Sequence, residues 1–185
     1  AERAIEAALA LQGAIDRFNA RGAFPRLTTR IGMNTGPMVI GNLGSRKRFD
    51  YTAIGDSVNL ASRVEGLNKH FGTLILFTEA TRRDAGGALP SVLMGRVRVA
   101  GKKESVPLYT VVQPPFSSEG LVYWQQAQNQ FASRSWDDAW QSFDRAASLE
   151  RRLHIAAELY RSQINELRKD PPDGSWAGEL AFESK

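Results

Sequence analysis

The sequence predicts an α+β fold over residues 1–112, followed by a helical extension. Two segments, 2–21 and 56–69, carry apolar residues at helical spacing. Short apolar runs bounded by turn-forming residues lie between and after these segments, as is typical of strands. Beyond residue 112 the regular patterns are helical. These observations place a mixed domain before a helical region.

Residues 2–21 are predicted to form an amphipathic helix that Gly22 and Pro25 end. Because the chain begins inside this pattern and without a methionine, we expect that further sequence precedes it. One stripe of this helix consists of Ile5, Ala8, Leu9, Gln12, Ile15 and Phe18.

Five apolar runs are predicted to be strands. RIGMN (30–34) and PMVIGN (37–42) are joined by a Gly-Pro turn. GTLILFTEAT (72–81) reads as a buried strand followed by turn residues. SVLMGRVRV (91–99) and SVPLYTVV (105–112) flank the segment AGKKE.

The stretch DYTAIGDSVNLASR, residues 50 to 63, begins as a turn and continues into the predicted helix. Asp56 is the expected N-cap, because a carboxylate accepts from the unpaired N–H groups of a first turn. At about 100° per residue, Asn59 and Arg63 project together from the side opposite the apolar residues. Such pairs are common on helices, so this pair alone specifies no function. The apolar face comprises Leu60, Ala61, Val64 and Leu67, and the polar face adds Ser62 and Gly66.

Composition excludes several classes of site. The chain has no cysteine, which excludes disulfides, cysteine-ligated zinc and thiol catalysis, and His70 and His154 form no ligand pair. The net charge of +4 is scattered rather than gathered in a basic stripe, which argues against nucleic acid as a partner. No signal peptide or membrane-spanning run is visible, so we expect no membrane contact in this segment and a cytoplasmic location.

The C-terminal third divides into a Pro/Ser/Gly-rich linker (113–120), a helical extension (121–170) and a turn-rich tail (171–185). The extension has the residue spacing of a tetratricopeptide helix pair, and 154–169 is predicted to be a further helix. Either this extension is a helical hairpin packed on the preceding domain, or it is a surface that binds a protein partner. Trp176 is the expected docking point of the tail. The repeat-like positions are Ala127, Phe131, Trp136, Ala139, Phe143 and Ala146.

The string IGMNTGPMVIGNLGS…FDYTAIGDSVNLASRVEGLNK…GTLILFTEAT…VRVAGKKESVPLY closely resembles the C-terminal half of a class III adenylyl/guanylyl cyclase catalytic domain. The resemblance covers residues 1–112 and implies a partial ferredoxin-like cyclase domain. The extension resembles the tetratricopeptide-like region that follows many bacterial cyclase domains.

The resemblance also implies roles for individual residues. The family's transition-state pair falls on Asn59, which would orient the ribose, and Arg63, which would stabilise charge on the α-phosphate. The purine-reading position falls on Thr52, where threonine is typical of the b subclass of the family. Its hydroxyl can accept from the adenine amino group, so ATP is expected rather than GTP. The plainer interpretation of Thr52 is a β-branched strand residue without a ligand.

The chain departs from the family pattern at the phosphate-binding lysine, where it has Ala100. Lys102 is the main candidate to supply that charge, with Lys103 and Arg98 as alternatives. The family's two metal-binding aspartates precede the region that this chain covers. The two Mg²⁺ or Mn²⁺ ions of the parent enzyme would therefore have no ligands here, and Asp56 is not a replacement for them.

The resemblance thus implies part of an adenylate cyclase, a phosphorus-oxygen lyase that converts ATP to cyclic AMP and pyrophosphate in signal transduction. Family cyclases act as dimers through this domain, with metals from one protomer and the Asn/Arg/Thr set from the other. We therefore expect a homodimer in the parent and no activity from this chain alone. The alternative is a non-catalytic, cyclase-like module whose helical extension binds a protein. Two aspartates in the upstream sequence would distinguish the enzyme from the module.

Overall fold

A computed structural model of the chain describes residues 1–45, 48–87, 89–98 and 104–182. Helices and strands alternate up to residue 111, after which helices dominate. The elements are α1 (Glu2–Ala20), β1 (Ile31–Met33), β2 (Val39–Ser45), β3 (Arg48–Ile54), α2 (Asp56–Phe71), β4 (Ile75–Thr78), α3 (Glu79–Asp84), β5 (Ser91–Arg98), β6 (Val106–Val111), α4 (Ser118–Ala132), α5 (Trp136–Leu149), a short 3-10 helix (Arg151–Leu153), α6 (His154–Lys169) and β7 (Glu179–Ala181).

The main sheet has five strands in the order β1-β4-β6-β5-β7, and β2 and β3 form a separate two-stranded sheet. The edge strands β1 and β7 run parallel to β4 and β5, whereas β6 is antiparallel to both of its neighbours. A mixed sheet with helices packed on it confirms the predicted α+β class. In the described part of the chain, no helix is long and apolar enough to cross a membrane.

The two faces of this sheet belong to two hydrophobic clusters. Ile75 and Phe77 of β4 pack with Ile5 and Ala8 of α1. Leu76, which lies between them and points the other way, packs with α2 and with the helical extension. Helix α1 therefore covers one face, and α2 and the extension share the other.

The helical extension and the mixed domain share one core. Trp124, Phe131, Phe143 and Tyr160 of the extension are nearly fully buried and belong to the same cluster as Phe71 of α2. Phe143 and Tyr160 stack at 4.4 Å between ring centroids, and Phe131 meets Tyr160 edge-on at 4.9 Å. The extension is therefore packed on the domain that precedes it.

Three local expectations were wrong. The residues at 50–54, which were expected to begin as a turn, belong to strand β3, which makes an antiparallel ladder with β2 from Val39–Ile54 to Ser45–Arg48. The residues after β4 form helix α3, whose N-cap Thr78 accepts from the backbone N–H of Thr81 at 3.4 Å. The tail also contains a strand, β7, which pairs with β5.

The predicted docking of Trp176 is present in the fold. Its ring lies 5.2 Å from that of Phe131 and 5.6 Å from that of Trp136, and its indole N–H donates to the carbonyl of Glu179 at 3.0 Å. This contact places the start of β7 beside the edge of the sheet.

Candidate active site

Helix α2 begins one residue earlier than a cap at Asp56 requires. Gly55 occupies the N-cap position with φ 145°, a backbone conformation that favours glycine, and Asp56 is the first helical residue. The prediction that Asp56 caps the helix was therefore wrong. The Gly55 carbonyl accepts from the N–H groups of Val58 and Asn59 at 3.1 Å. A carboxylate in the first turn still favours the helix through its dipole.

The two predicted transition-state residues lie on the exposed side of α2. Asn59 and Arg63 are exposed one turn apart, with the exposed Ser62 between them. Val64 and Leu67 are buried on the other side, which confirms the predicted division of the helix into two faces. The structure therefore presents an amide and a guanidinium together on an anchored helix.

Thr52 lies on β3, the strand that leads into α2. It is exposed and stands opposite Gly41 in the β2–β3 register. Among its described residues, the hairpin formed by β2 and β3 has large exposed apolar side chains. The exposed fraction is 64% for Val39 and 76% for Tyr51. Large exposed apolar patches are typical of interaction surfaces.

The middle of α2 lies directly against the backbone of β1. A Cβ added to Gly32 would lie 2.1 Å from the backbone N of Glu65 and 2.5 Å from the carbonyl oxygen of Ala61. Only glycine permits this approach, because any side chain would overlap the helix backbone. Arg63 lies between these two residues in sequence, so β1 fixes the turn that carries it.

The first turn of α2 is tied to the loop after β1. The Asn34 side-chain amide donates to the Ser57 carbonyl at 3.1 Å, and its oxygen accepts from the Thr78 hydroxyl at 2.8 Å. Gly36 lies so close that an added Cβ would be 2.2 Å from the Ser57 Oγ. The turn that precedes Asn59 is thus held from the sheet side.

Asn68 anchors α2 from within the core. It is fully buried, and its Nδ2 donates to the carbonyls of Ile31 at 3.1 Å and Glu65 at 3.0 Å. Its Oδ1 accepts from the Thr73 hydroxyl at 2.8 Å. Sequence reasoning missed this residue, although an amide between the buried Leu67 and Phe71 was the available signal.

Of the predicted phosphate-binding residues, only Arg98 lies within the part of the chain that the structure describes. Ala100, Lys102 and Lys103 lie outside the described residues. Arg98 ends β5, where its Nη2 lies 3.9 Å from a carboxylate oxygen of Glu179. In the strand order, β5 stands three places from β1, so Arg98 belongs to the far side of the sheet.

The described residues include no group of three histidine, cysteine, aspartate or glutamate side chains that could hold a metal ion. The side chains of the described residues therefore do not fit the two-metal site that the resemblance implies.

Two strongly lowered carboxyl pKa values belong to other elements. Hydrogen bonds from Arg82 hold the pKa of Glu79 on α3 at about 2. Hydrogen bonds from Arg152 hold the pKa of Glu150, beside the linker, at about 2 as well. Both carboxylates act as ionised structural partners.

The sequence of the mixed domain matches a known family. A profile for the adenylate and guanylate cyclase catalytic domain matches residues 1–112. Adenylate cyclase 1 of Rhizobium meliloti is 36% identical over 115 residues, which cover 60% of this chain and 17% of that protein. The adenylate cyclase of Anabaena cylindrica is 38% identical over 120 residues, which cover 58% of this chain and 24% of that protein. The chain thus spans less than a quarter of the length of these curated relatives.

Solved structures of two cyclases are also similar to this chain. The adenylyl cyclase CyaB from P. aeruginosa is 30% identical with a TM-score of 0.48, over 60% of this chain and 56% of that one. The guanylyl cyclase Cya2 is 30% identical with a TM-score of 0.45, over 63% of this chain and 58% of that one.

Proposed function

The chain belongs to the adenylate and guanylate cyclase catalytic domain family, and we propose that it supplies the C-terminal half of a domain that converts ATP to cyclic AMP and pyrophosphate. One observation carries the proposal. Asn59 and Arg63 are exposed together on a helix whose backbone touches β1 at Gly32.

In this proposal Arg63 stabilises the negative charge that builds on the α-phosphate as the ribose 3′-hydroxyl attacks it. A guanidinium held in place before the reaction needs little rearrangement in the transition state. Asn59, one turn earlier, orients the ribose. Fixing sugar and phosphate on one rigid element lowers the entropic part of the barrier.

The purine is assigned to Thr52. Its exposed hydroxyl is able to accept from the amino group of adenine, whereas guanine presents a carbonyl at that position. The curated relatives from Rhizobium meliloti and Anabaena cylindrica are both named adenylate cyclases, which supports ATP as the substrate.

The uncovered β2–β3 hairpin supports a homodimeric assembly. A two-stranded sheet is marginally stable by itself in water, and this one exposes Val39, Ile40, Tyr51 and Ile54. In the proposed homodimer, a second subunit covers the hairpin and contributes the metal-binding residues. This chain contributes Thr52, Asn59 and Arg63 and is inactive alone.

The test is Arg63→Ala in a cyclase that contains this chain together with two metal-binding aspartates. We expect kcat for cyclic AMP formation to fall about a hundred- to a thousand-fold, while KM changes much less, because the contact strengthens in the transition state. Ser62→Ala, at the exposed position next to it, is the matched control. A kcat within a few-fold of the parent would remove Arg63 from the mechanism.

The same cyclase distinguishes the alternative, a non-catalytic module whose extension binds a protein. Ala100 at the family's lysine position is the sequence feature that favours this module. A protein that carries both aspartates and the complete chain, yet forms no cyclic nucleotide, would establish it.

Thr52→Val tests the choice of purine. The substitution keeps the shape but removes the hydroxyl, so the adenine amino group loses a partner worth about 1–3 kcal/mol. We expect kcat/KM for ATP to fall relative to that for GTP by about five-fold or more. An unchanged ratio would leave Thr52 as an ordinary strand residue.

A further inference from the structure

The helical extension reaches the same helix that carries Asn59 and Arg63. The last turn of α2 ends at Phe71, which is fully buried in the core shared with the extension. Gly72 ends the helix with φ 67°, and a Cβ there would lie 2.6 Å from the Cβ of Ile155 on α6. The start of α6 therefore abuts the end of α2.

The tail adds a second contact to this end of α2. The ring of Phe182 lies 4.7 Å from that of His70 and 6.2 Å from that of Phe71. Burial, helped by the neighbouring Lys69, lowers the pKa of His70, which keeps this imidazole neutral near pH 7. The end of α2 is thus enclosed by α6 and by the residue that follows β7.

The extension also completes the hydrogen bonding of a bulge in β5. The β5–β6 register shifts between Leu93 and Gly95, and the carbonyls at this point accept from side chains of the extension. Trp124 Nε1 donates to Leu93 at 2.8 Å, and Tyr160 Oη donates to Met94 at 3.0 Å. Gln128 Nε2 donates to both carbonyls at 3.0 Å.

Gly95 marks the point where these parts meet. A Cβ there would lie 2.4 Å from Tyr160 Oη, 3.4 Å from Leu180 Cδ1 and 3.5 Å from Phe71 Cε1. Side chains from α6, β7 and α2 therefore all meet the sheet at Gly95. A displacement of Tyr160 or Phe182 would be passed to α2, because close-packed interiors transmit strain.

We propose that the helical extension is a positioning element for the catalytic helix, with Tyr160 and Phe182 as its positioning residues. The sheet side holds the first turn and the middle of α2 through Asn34, Gly32 and Asn68. The extension holds its last turn. The two supports together fix the orientation in which α2 presents Asn59 and Arg63. This role rests on the proposed function of those two residues.

The first test uses this 185-residue chain and hydrogen–deuterium exchange of the α2 amides. Phe182→Ala removes a half-buried ring from the end of α2 and is expected to raise exchange over residues 67–71 about ten-fold. Trp140→Ala is the matched control, because Trp140 is a half-buried aromatic of the extension that packs with Arg161 and Arg168. Phe182→Leu is expected to restore most of the protection. Equal exchange in the Phe182→Ala and Trp140→Ala variants would overturn the proposal.

The second test measures kcat and KM in the cyclase proposed above for the Arg63→Ala test, which contains this chain together with two metal-binding aspartates. Phe182→Ala and Tyr160→Phe are expected to lower kcat about five- to ten-fold, with KM for ATP within three-fold, whereas Trp140→Ala leaves both near the parent values. If exchange rises but kcat does not fall, the extension stabilises α2 without positioning the catalytic pair, and the proposal fails. If Arg63→Ala has no effect on kcat, the proposed function fails instead.

Discussion

At one edge of the five-stranded sheet, β7 from the tail pairs with β5, and the helical extension lies alongside. At the other edge, β1 pairs only with β4 within the described residues. The covered edge is held by segments from far along the sequence, with Arg98 paired to Ala181. β1 is followed in the chain by the separate β2–β3 hairpin, which has large exposed apolar residues. The chain thus pairs the sheet edge beside the extension within itself, whereas the hairpin that follows the other edge strand is the surface that we assign to a partner.

Gly32→Ala is expected to have the largest effect, because it disrupts the contact between β1 and α2. The added Cβ would overlap the backbone of α2, which cannot swing away as a flexible side chain can. We expect a loss of about 3 kcal/mol in the free energy of unfolding, measured by denaturant titration. The matched control is Gly66→Ala on α2, where an added Cβ meets nothing within 4 Å and a gain of about 0.5–1 kcal/mol is expected. Equal behaviour of the two variants would mean that β1 and α2 are not in backbone contact.

Glu150→Gln tests the hydrogen bonds that hold the linker against the helical extension. The Glu150 carboxylate accepts from the backbone N–H groups of Ser117 and Arg152 at 3.1 Å, and from Arg152 Nε at 2.8 Å. Arg152 in turn donates to the linker carbonyls of Gln113 and Pro115. Loss of the charge is expected to cost about 2 kcal/mol of unfolding free energy at pH 7.

The pH dependence of this effect has a definite sign. The pKa of Glu150 is lowered from 4.5 to about 2, so its stabilisation is fully present above pH 4.5 and is lost as the pH falls towards 2. The difference between the parent and Glu150→Gln should therefore shrink over that range. Glu158→Gln, on the exposed surface of α6, is the control. If the difference in unfolding free energy between the two proteins stays constant from pH 7 to pH 2, the ionised Glu150 carboxylate does not provide the stabilisation.

Val39→Lys tests whether the exposed apolar residues of the hairpin take part in self-association. We expect this chain to self-associate through its uncovered β1 side, and a lysine on the hairpin to raise the dissociation constant about ten-fold, or about 1.4 kcal/mol. Val122→Lys on α4 is the matched control, because Val39 and Val122 are both 64% exposed. Light scattering over a concentration series reads out the association. A monodisperse monomer for the parent chain, or an equal effect of both lysines, contradicts the expectation.

Elements with strong periodicity were predictable from the sequence. The stripe of residues 2–21 and the two faces of α2 each repeat over several turns, and α1 and α2 lie where those patterns placed them. β7 was not predictable, because three residues in a turn-rich tail become a strand only by pairing with β5. The β2–β3 ladder was missed for a related reason, since strand pairing depends on partners rather than on local pattern.

The exposed residues of the candidate site were predictable from the sequence, whereas the residues that hold its helix in place were not. Asn59 and Arg63 follow from helical spacing and from resemblance to the family, and the structure places both on the exposed face of α2. Gly32 and Asn68 act through a close backbone approach and a buried hydrogen-bond network, which have no periodic signature. The cap at Asp56 was wrong because the backbone angle of Gly55 decides where α2 begins.

The pairing of β7 with β5 also sets an order for the chain's synthesis. The two strands lie roughly 80 residues apart, so at about 5–20 residues per second the ribosome delivers β7 some 4–16 s after β5. During that interval the outer edge of β5 lacks its strand partner, whereas Trp124, Gln128 and Tyr160, which bond the bulge carbonyls, are synthesised before β7. The β5 edge of the sheet therefore stays unpaired until β7 emerges. Translation that stops before Gly178 would release a protein in which the β5 edge is unpaired and able to pair with another chain.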